Sequence, residues 1–290
     1  MLPVDELARL DLGNRALTTI GDAALRQENL RELNLYRNQL RTLPDALWTL
    51  TSLHTLNLGD NQLESLPEGI GQLQALRMLD LGHNRLEQLP AAIGRLAGLT
   101  DFLYLGHNRL EQLPEALCQL TRLAYLNVSD NRLTALPEGL GAMQSLLELR
   151  LYGNRLRTLP DGVGNLGSLL ELHLQRNQLA SLPDTIGGLS CLRELDLADN
   201  GLAALPESIG GMTQLRRLNL RNNALAVLPL SLGQLAELTH LDLRANPLSS
   251  LPNAIGALPR LEKLDLRWCP LESPPAWIGN LRNRGCRIYH

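Results

Sequence analysis

Leu56-Asn57-Leu58-Gly59-Asp60-Asn61-Gln62-Leu63, closed by Leu66-Pro67, is one statement of a framework, LxxLxLxxNxL, to which this 290-residue chain keeps returning. Self-similarity at a short fixed period means that each repeat is one small structural unit, stacked on its neighbours to bury a shared core. The period is read from the asparagines: Asn38, Asn61, Asn84, Asn108, Asn131, Asn154, Asn177, Asn200, Asn223 and Asn246 stand 23 residues apart, except that Asn84 to Asn108 takes 24. Arg15 holds the Asn place in the first coil and Cys269 in the last, giving about twelve coils.

One coil explains itself physically. In Leu215-Arg216-Arg217-Leu218-Asn219-Leu220, alternation sends Leu218 and Leu220 inward and leaves Arg217 and Asn219 facing out, as in a short strand. The fixed Asn follows where the chain turns away from the strand. Its amide both donates and accepts, so it can satisfy backbone groups that the turn would bury unpaired, coil after coil, as a ladder. The Pro of each Leu-Pro step removes a donor and fixes φ, ending the extended path before a helical or 3₁₀ turn. Pairs such as Ile70-Gly71, Ile93-Gly94, Ile186-Gly187, Ile209-Gly210 and Ile255-Gly256 supply an apolar anchor and a tight bend.

These motifs resemble the leucine-rich repeat family, in the short form with an LPxxIGxL back segment found in bacterial and plant intracellular proteins. The resemblance covers residues 7 to 275. It implies an α/β fold: a curved solenoid with a parallel sheet on the concave face and short helical or 3₁₀ turns on the convex face. It also implies binding of other macromolecules, and no chemistry. A stack adds core one coil at a time, so the reading is a single domain over 1–290, with an N-terminal cap at 1–29 and a C-terminal cap at 270–290.

Composition narrows the partners. With 27 basic and 30 acidic residues and no tract of either sign, the chain lacks the basic stripe of a nucleic-acid groove. Its longest apolar runs are far short of a membrane span, and Met1-Leu2-Pro3-Val4-Asp5-Glu6 opens without a signal core. Cys118, Cys191, Cys269 and Cys286 are scattered. Cys118 and Cys191 read as small buried hydrophobes, a Cys269–Cys286 disulfide is the minor alternative, and the expected compartment is reducing and cytoplasmic.

At the front, Asp22-Ala23-Ala24-Leu25-Arg26-Gln27-Glu28 lacks the Leu-Pro step and is expected to form a longer helix. At the rear, Trp277 and Ile278 read as cap residues, and Cys286-Arg287-Ile288-Tyr289 as one more strand.

Because the inward positions are committed to leucine, partner information must lie at outward strand positions. Phe102, Tyr104, Tyr125 and Tyr152 fall in three consecutive coils, with Met78 before them and Arg150 and His173 after. Aromatics with Arg are the composition of a protein-binding hot spot, although neighbouring rings also stack simply to support a sheet. The single extra residue, in Leu99-Thr100-Asp101-Phe102-Leu103, predicts a bulge that re-aims side chains at this place. Beyond it, Glu148, Glu171 and Glu194, with Asp196 and Asp199, form an acidic block, answered by Arg217, Arg221, His240, Arg244, Lys263 and Arg267. Such blocks suit a complementary partner, or they keep the face soluble and neutralise one another.

No catalytic constellation is predicted. Adjacent glutamates such as Glu171 and Glu194 are a by-product of the repeat on an open face. His83 and His107, in neighbouring Gly-His-Asn corners, assure only two ligands, so no metal, and likewise no cofactor, is expected. The function expected is a non-catalytic scaffold that binds another protein, with no nucleic acid, membrane or small-molecule substrate. Alternatives are the recognition module of a larger signalling or secreted effector protein carrying a kinase, GTPase or ubiquitin-ligase domain, and a self-associating structural protein.

Overall fold

Three residues per coil are extended in the computed structural model, which describes residues 9–27 and 29–290. The chain divides into two compact units, residues 1–133 and 134–290. In the first, strands β1 (Arg9–Asp11), β2 (Glu32–Asn34), β3 (Thr55–Asn57), β4 (Met78–Asp80), β5 (Phe102–Tyr104) and β6 (Tyr125–Asn127) pair in chain order, all parallel. In the second, β7 (Glu148–Arg150), β8 (Glu171–His173), β9 (Glu194–Asp196), β10 (Arg217–Asn219), β11 (His240–Asp242), β12 (Lys263–Asp265) and β13 (Arg287–Tyr289) do the same. Register is uniform: Arg217 pairs with Glu194 on one side and His240 on the other. Equivalent residues therefore form columns across each unit's sheet.

The core is the leucine framework itself. Leu56 and Leu58 are fully buried, as are Leu218 and Leu220, while the residues between them reach the open face. The ladder asparagines are buried polar groups, half-buried at Asn200, that bond to backbone. Asn61 Nδ2 donates to the Leu35 and Leu58 carbonyls, each at 3.0 Å, and its Oδ1 accepts the Leu40 N–H at 3.1 Å. Asn177 repeats this with Leu151, Leu174 and Leu156. At the Cys269 place the thiol donates to the Leu243 carbonyl at 3.1 Å, as Asn246 Nδ2 donates to Leu220 one coil earlier.

The proline steps act as the sequence predicts. Pro67 sits at φ −67° and ψ 154°, and its carbonyl accepts the Ile70 N–H, opening the 3₁₀ segment Glu68–Gln72. Equivalent 3₁₀ segments follow Pro44 through Pro229, whereas the turn after Pro252 is a short α-helix, α1 (Asn253–Gly256). The glycines of these segments permit close stacking. A Cβ on Gly69 would stand 2.3 Å from the Trp48 ring, and one on Gly256 would stand 2.5 Å from Trp277.

The ends differ from expectation at one side only. The front back-segment is a four-residue 3₁₀ turn, Asp22–Leu25, and not a longer helix; Glu28 and residues 1–8 lie outside the described residues. With only Leu25 buried in this segment, there is little apolar surface to stabilise further turns. At the rear, Trp277 and Ile278 are buried around α2 (Ile278–Asn283), and β13 follows as read.

Candidate functional site

In the first unit, parallel register brings the aromatics together. Met78, Phe102 and Tyr125 occupy one column of β4, β5 and β6, while Asp80, Tyr104 and Asn127 occupy the next. The Phe102 and Tyr104 ring centroids are 5.8 Å apart and nearly parallel, Phe102 meets Tyr125 edge-on at 5.5 Å, and Tyr104 lies 5.0 Å from Tyr125. Three rings in mutual contact make one apolar surface, yet Phe102 remains 39% exposed. Support of the sheet alone does not require that exposure.

The extra residue in this coil is absorbed ahead of the strand. Asp101 and Phe102 N–H both donate to the Arg77 carbonyl, as Arg77 and Met78 do to His54, but Ala124 N–H donates to Thr100 and Tyr125 N–H to Asp101. Two residues thus face one, and the bulge ends before β5 begins. Phe102 keeps the same partners, Met78 and Tyr125, as any other strand residue in its column. The bulge therefore leaves the pairing register of Phe102 unchanged. Asp101 is instead held outside the strand by Arg77 at 3.2 Å and by the Thr100 hydroxyl, which donates to its carboxylate at 2.8 Å.

Beside Tyr104, burial pushes the Asp80 carboxyl above its ordinary pKa, with the Gly82 N–H and His83 partly offsetting the rise. At the coil corners, His83 and His107 stack face to face with centroids 4.1 Å apart, and His107 Nε2 lies 3.5 Å from Asp130 Oδ2. Stacked parallel imidazoles direct their nitrogen lone pairs side by side and not toward a common point.

In the second unit, the charge blocks are tied to one another. Arg217 reaches Glu194 at 3.3 Å, Arg221 reaches Asp199 at 2.7 Å, and Arg244 reaches Asp242 at 2.6 Å. Asp265, whose side chain is 1% exposed, lies between Arg267 at 2.7 Å and Arg244 at 3.5 Å. Burial acts to raise its pKa, but the Arg267 hydrogen bond and both guanidiniums hold it below the ordinary value. His240 is lowered, first by burial and then by Arg217. Tyr152 faces Arg176, whose guanidinium carbon lies 5.4 Å from the ring centroid. A cleft of about 200 Å³ runs past Glu194, Asp196, Arg217, His240, Asp242 and Lys263. That volume suits a side chain better than a substrate.

The sequence reading passed over one constellation. Arg150 bonds Glu148, and His173 Nε2 lies 3.1 Å from Glu171 Oε2 and 3.9 Å from Glu148 Oε1. The signal was available: equal spacing in adjacent coils and a two-residue step within a strand put all these groups on one face. It also passed over Trp268, which is 72% exposed with the Arg267 guanidinium 5.6 Å from its ring. Among the cysteines, all are free thiols; Cys118 is buried, with its pKa pushed up to about 11 by burial, but Cys191 is exposed and not a core residue. Cys191 sits two residues after Leu189, in the polar turn leading to the next strand, where nothing packs over it.

Comparison with known proteins agrees with this architecture. Sequence patterns described as leucine-rich repeat region and leucine rich repeat match residues 68–173, 5–63, 213–271 and 191–212. A leucine-rich repeat protein of Leptospira interrogans is 31% identical with a TM-score of 0.65, over 97% of this chain and 83% of its own. The chain belongs to the leucine-rich repeat family. This leucine-rich repeat protein is also similar to a plant peptide hormone receptor, RGFR1, solved in complex with RGF2 (28% identity, TM-score 0.72), covering 89% of this chain and 46% of that one. It therefore spans less than half of that receptor chain. A further similar structure comes from the octameric complex of latrophilin 3, Unc5D and the leucine-rich repeat protein FLRT2, at 26% identity and TM-score 0.78, over 95% and 87% of the two chains. No curated protein matches the sequence. Leucine-rich repeat folds are commonly protein-binding scaffolds and are usually non-catalytic. Among the described residues, no helix is long and apolar enough to cross a membrane.

Proposed function

We propose that this leucine-rich repeat protein is a non-catalytic scaffold that binds another protein through the open face of its sheet. The observation that carries the reading is the cluster of Phe102, Tyr104 and Tyr125 in the first unit, mutually packed and still offering Phe102 to solvent. Rings already held by their neighbours lose little conformational freedom on binding, which favours affinity. Met78 extends the apolar column on β4.

In the second unit the face of the sheet carries Glu148, Arg150, Tyr152, Glu171, His173, Glu194 and Arg217, largely in ion pairs. Paired surface charges add little affinity and serve chiefly to select a partner. The free, scattered thiols support a reducing, cytoplasmic setting. Work as the recognition part of a larger signalling or effector protein is compatible with the same surface.

The test compares the intact chain with a Phe102→Ala/Tyr125→Ala variant of matching circular dichroism, in a lysate pull-down read by mass spectrometry. A protein captured by the intact chain alone supports the reading. Equal capture by both sinks the aromatic site. A concentration-dependent mass in sedimentation that the variant abolishes identifies the partner as a second copy.

A further inference from the structure

The geometry points to a binding site for a first-row divalent metal ion, of the zinc class, formed by Glu148, Glu171 and His173. This inference stands apart from the aromatic surface and does not depend on it. The three groups come from adjacent strands: Glu148 pairs in register with Glu171, and His173 shares a face with Glu171 two residues along β8. Two carboxylates at neighbouring places on a parallel sheet stand one strand spacing apart, about 4.8 Å, and repel unless a positive charge lies between them. In this structure Arg150 supplies positive charge to Glu148, and the His173 ring nitrogen lies within reach of both glutamates.

Distances and chemistry also fit an ion. One ligand atom from each residue lies within 4.8 Å of the other two, with His173 Nε2 at 3.1 Å and 3.9 Å from the carboxylate oxygens. A zinc ion bound at about 2.0–2.2 Å holds its ligand atoms roughly 3.0–3.6 Å apart. Closing the set therefore asks for movements of about 1 Å or less at the ends of two flexible glutamates.

The imidazole is well fixed, since its side chain is only 14% exposed, whereas Glu148 is 22% and Glu171 43% exposed. One imidazole and two carboxylates select zinc, cobalt or a similar ion over the oxygen-preferring calcium and magnesium. Three protein ligands leave a coordination position open on the sheet face, where a partner's carboxylate, imidazole or thiolate can complete it.

Arg150 makes the proposal specific. Its guanidinium bonds the carboxylate that the ion needs, so it acts as a built-in competitor. Removing it must strengthen metal binding, the opposite of what loss of a ligand does. Loss of a positive charge also strengthens adventitious cation binding to the face, so the rise counts for the site only together with a single saturable equivalent that the ligand variants weaken.

The experiment is isothermal titration of the metal-stripped full chain with zinc chloride, repeated with cobalt chloride to read the visible ligand-field bands. Variants are Arg150→Gln, Glu171→Gln, His173→Ala and, as a control at the stacked histidines, His107→Ala, each checked by circular dichroism. Expected are one equivalent bound, affinity lowered about tenfold or more in Glu171→Gln and His173→Ala, raised several-fold in Arg150→Gln, and unchanged in His107→Ala. Absence of a saturable single equivalent, retention of affinity in both ligand variants, or weaker binding in Arg150→Gln overturns the assignment.

Discussion

Asp80 occupies a strand place that several coils give to asparagine and others to aspartate. Its Oδ1 accepts the Gly82 N–H, as Asn57 accepts from Gly59 and Asn127 from Ser129, so the hydrogen bond itself needs no charge. Burial raises the Asp80 pKa in the folded chain, which means that the native state binds this proton more tightly than the unfolded chain does. The ionised carboxylate thus costs stability above its folded pKa, and the cost vanishes below the unfolded value. Asp80→Asn is expected to raise the thermal midpoint at pH 7, with the gain shrinking as pH falls toward 4. A gain that is absent at pH 7, or larger in acid, contradicts the argument. At the ladder, Asn177→Ala leaves the Leu151 and Leu174 carbonyls and the Leu156 N–H without their partner. The expected loss is about 1–3 kcal/mol, toward the upper end because several buried groups are orphaned; an unchanged urea midpoint refutes it.

At the scale of the element, every coil shares a feature that the leucine pattern conceals. The residue just before each ladder place turns through the left-handed region: Arg37, Asp60, His83, His107, Asp130, Arg176, Asp199, Asn222, Ala245 and Trp268 all have positive φ, and only Gly153 is a glycine there. A side chain in this conformation costs roughly 1–2 kcal/mol. The ladder and strand bonds on either side over-determine the turn and hold it. Ala245, at φ 54°, has no polar side chain to bond locally, and the bond from its N–H to the Arg267 carbonyl survives substitution. Ala245→Gly is therefore expected to stabilise the chain by about 0.5–1 kcal/mol after the entropy of a freer unfolded glycine is subtracted. A lower urea midpoint in that variant removes strain from the account of these corners.

For the molecule as a whole, what could be read in advance was whatever depends on periodic position. The leucines, the asparagine ladder, the proline-opened turns and the columns on the sheet are each fixed by residue type at a constant offset, and repetition averages out local ambiguity. Phe102, Tyr104 and Tyr125 were legible as neighbours for the same reason. What could not be read depends on side-chain torsions and on departures from the period. The pairing of Arg150 with Glu148 over other acids, the face-to-face stack of His83 on His107, and the exposure of Cys191 all turn on local packing that spacing does not encode. Placement of the extra residue near Thr100 is similar. Sequence located it to within a few residues, but hydrogen-bond competition decided that it would end before β5 and leave the aromatic register intact.

The asparagine ladder also has a direction. Asn61 accepts from Leu40 and donates to Leu35, both in the preceding coil, and Asn223 does the same for Leu202 and Leu197. A coil emerging from the ribosome is thus unsealed until the next one delivers its amide, a delay of about 1–5 s at ordinary rates of synthesis. Folding during translation then advances as a zipper whose newest tooth is always open, and a pause that falls just before a ladder asparagine holds exposed the backbone of the coil already made.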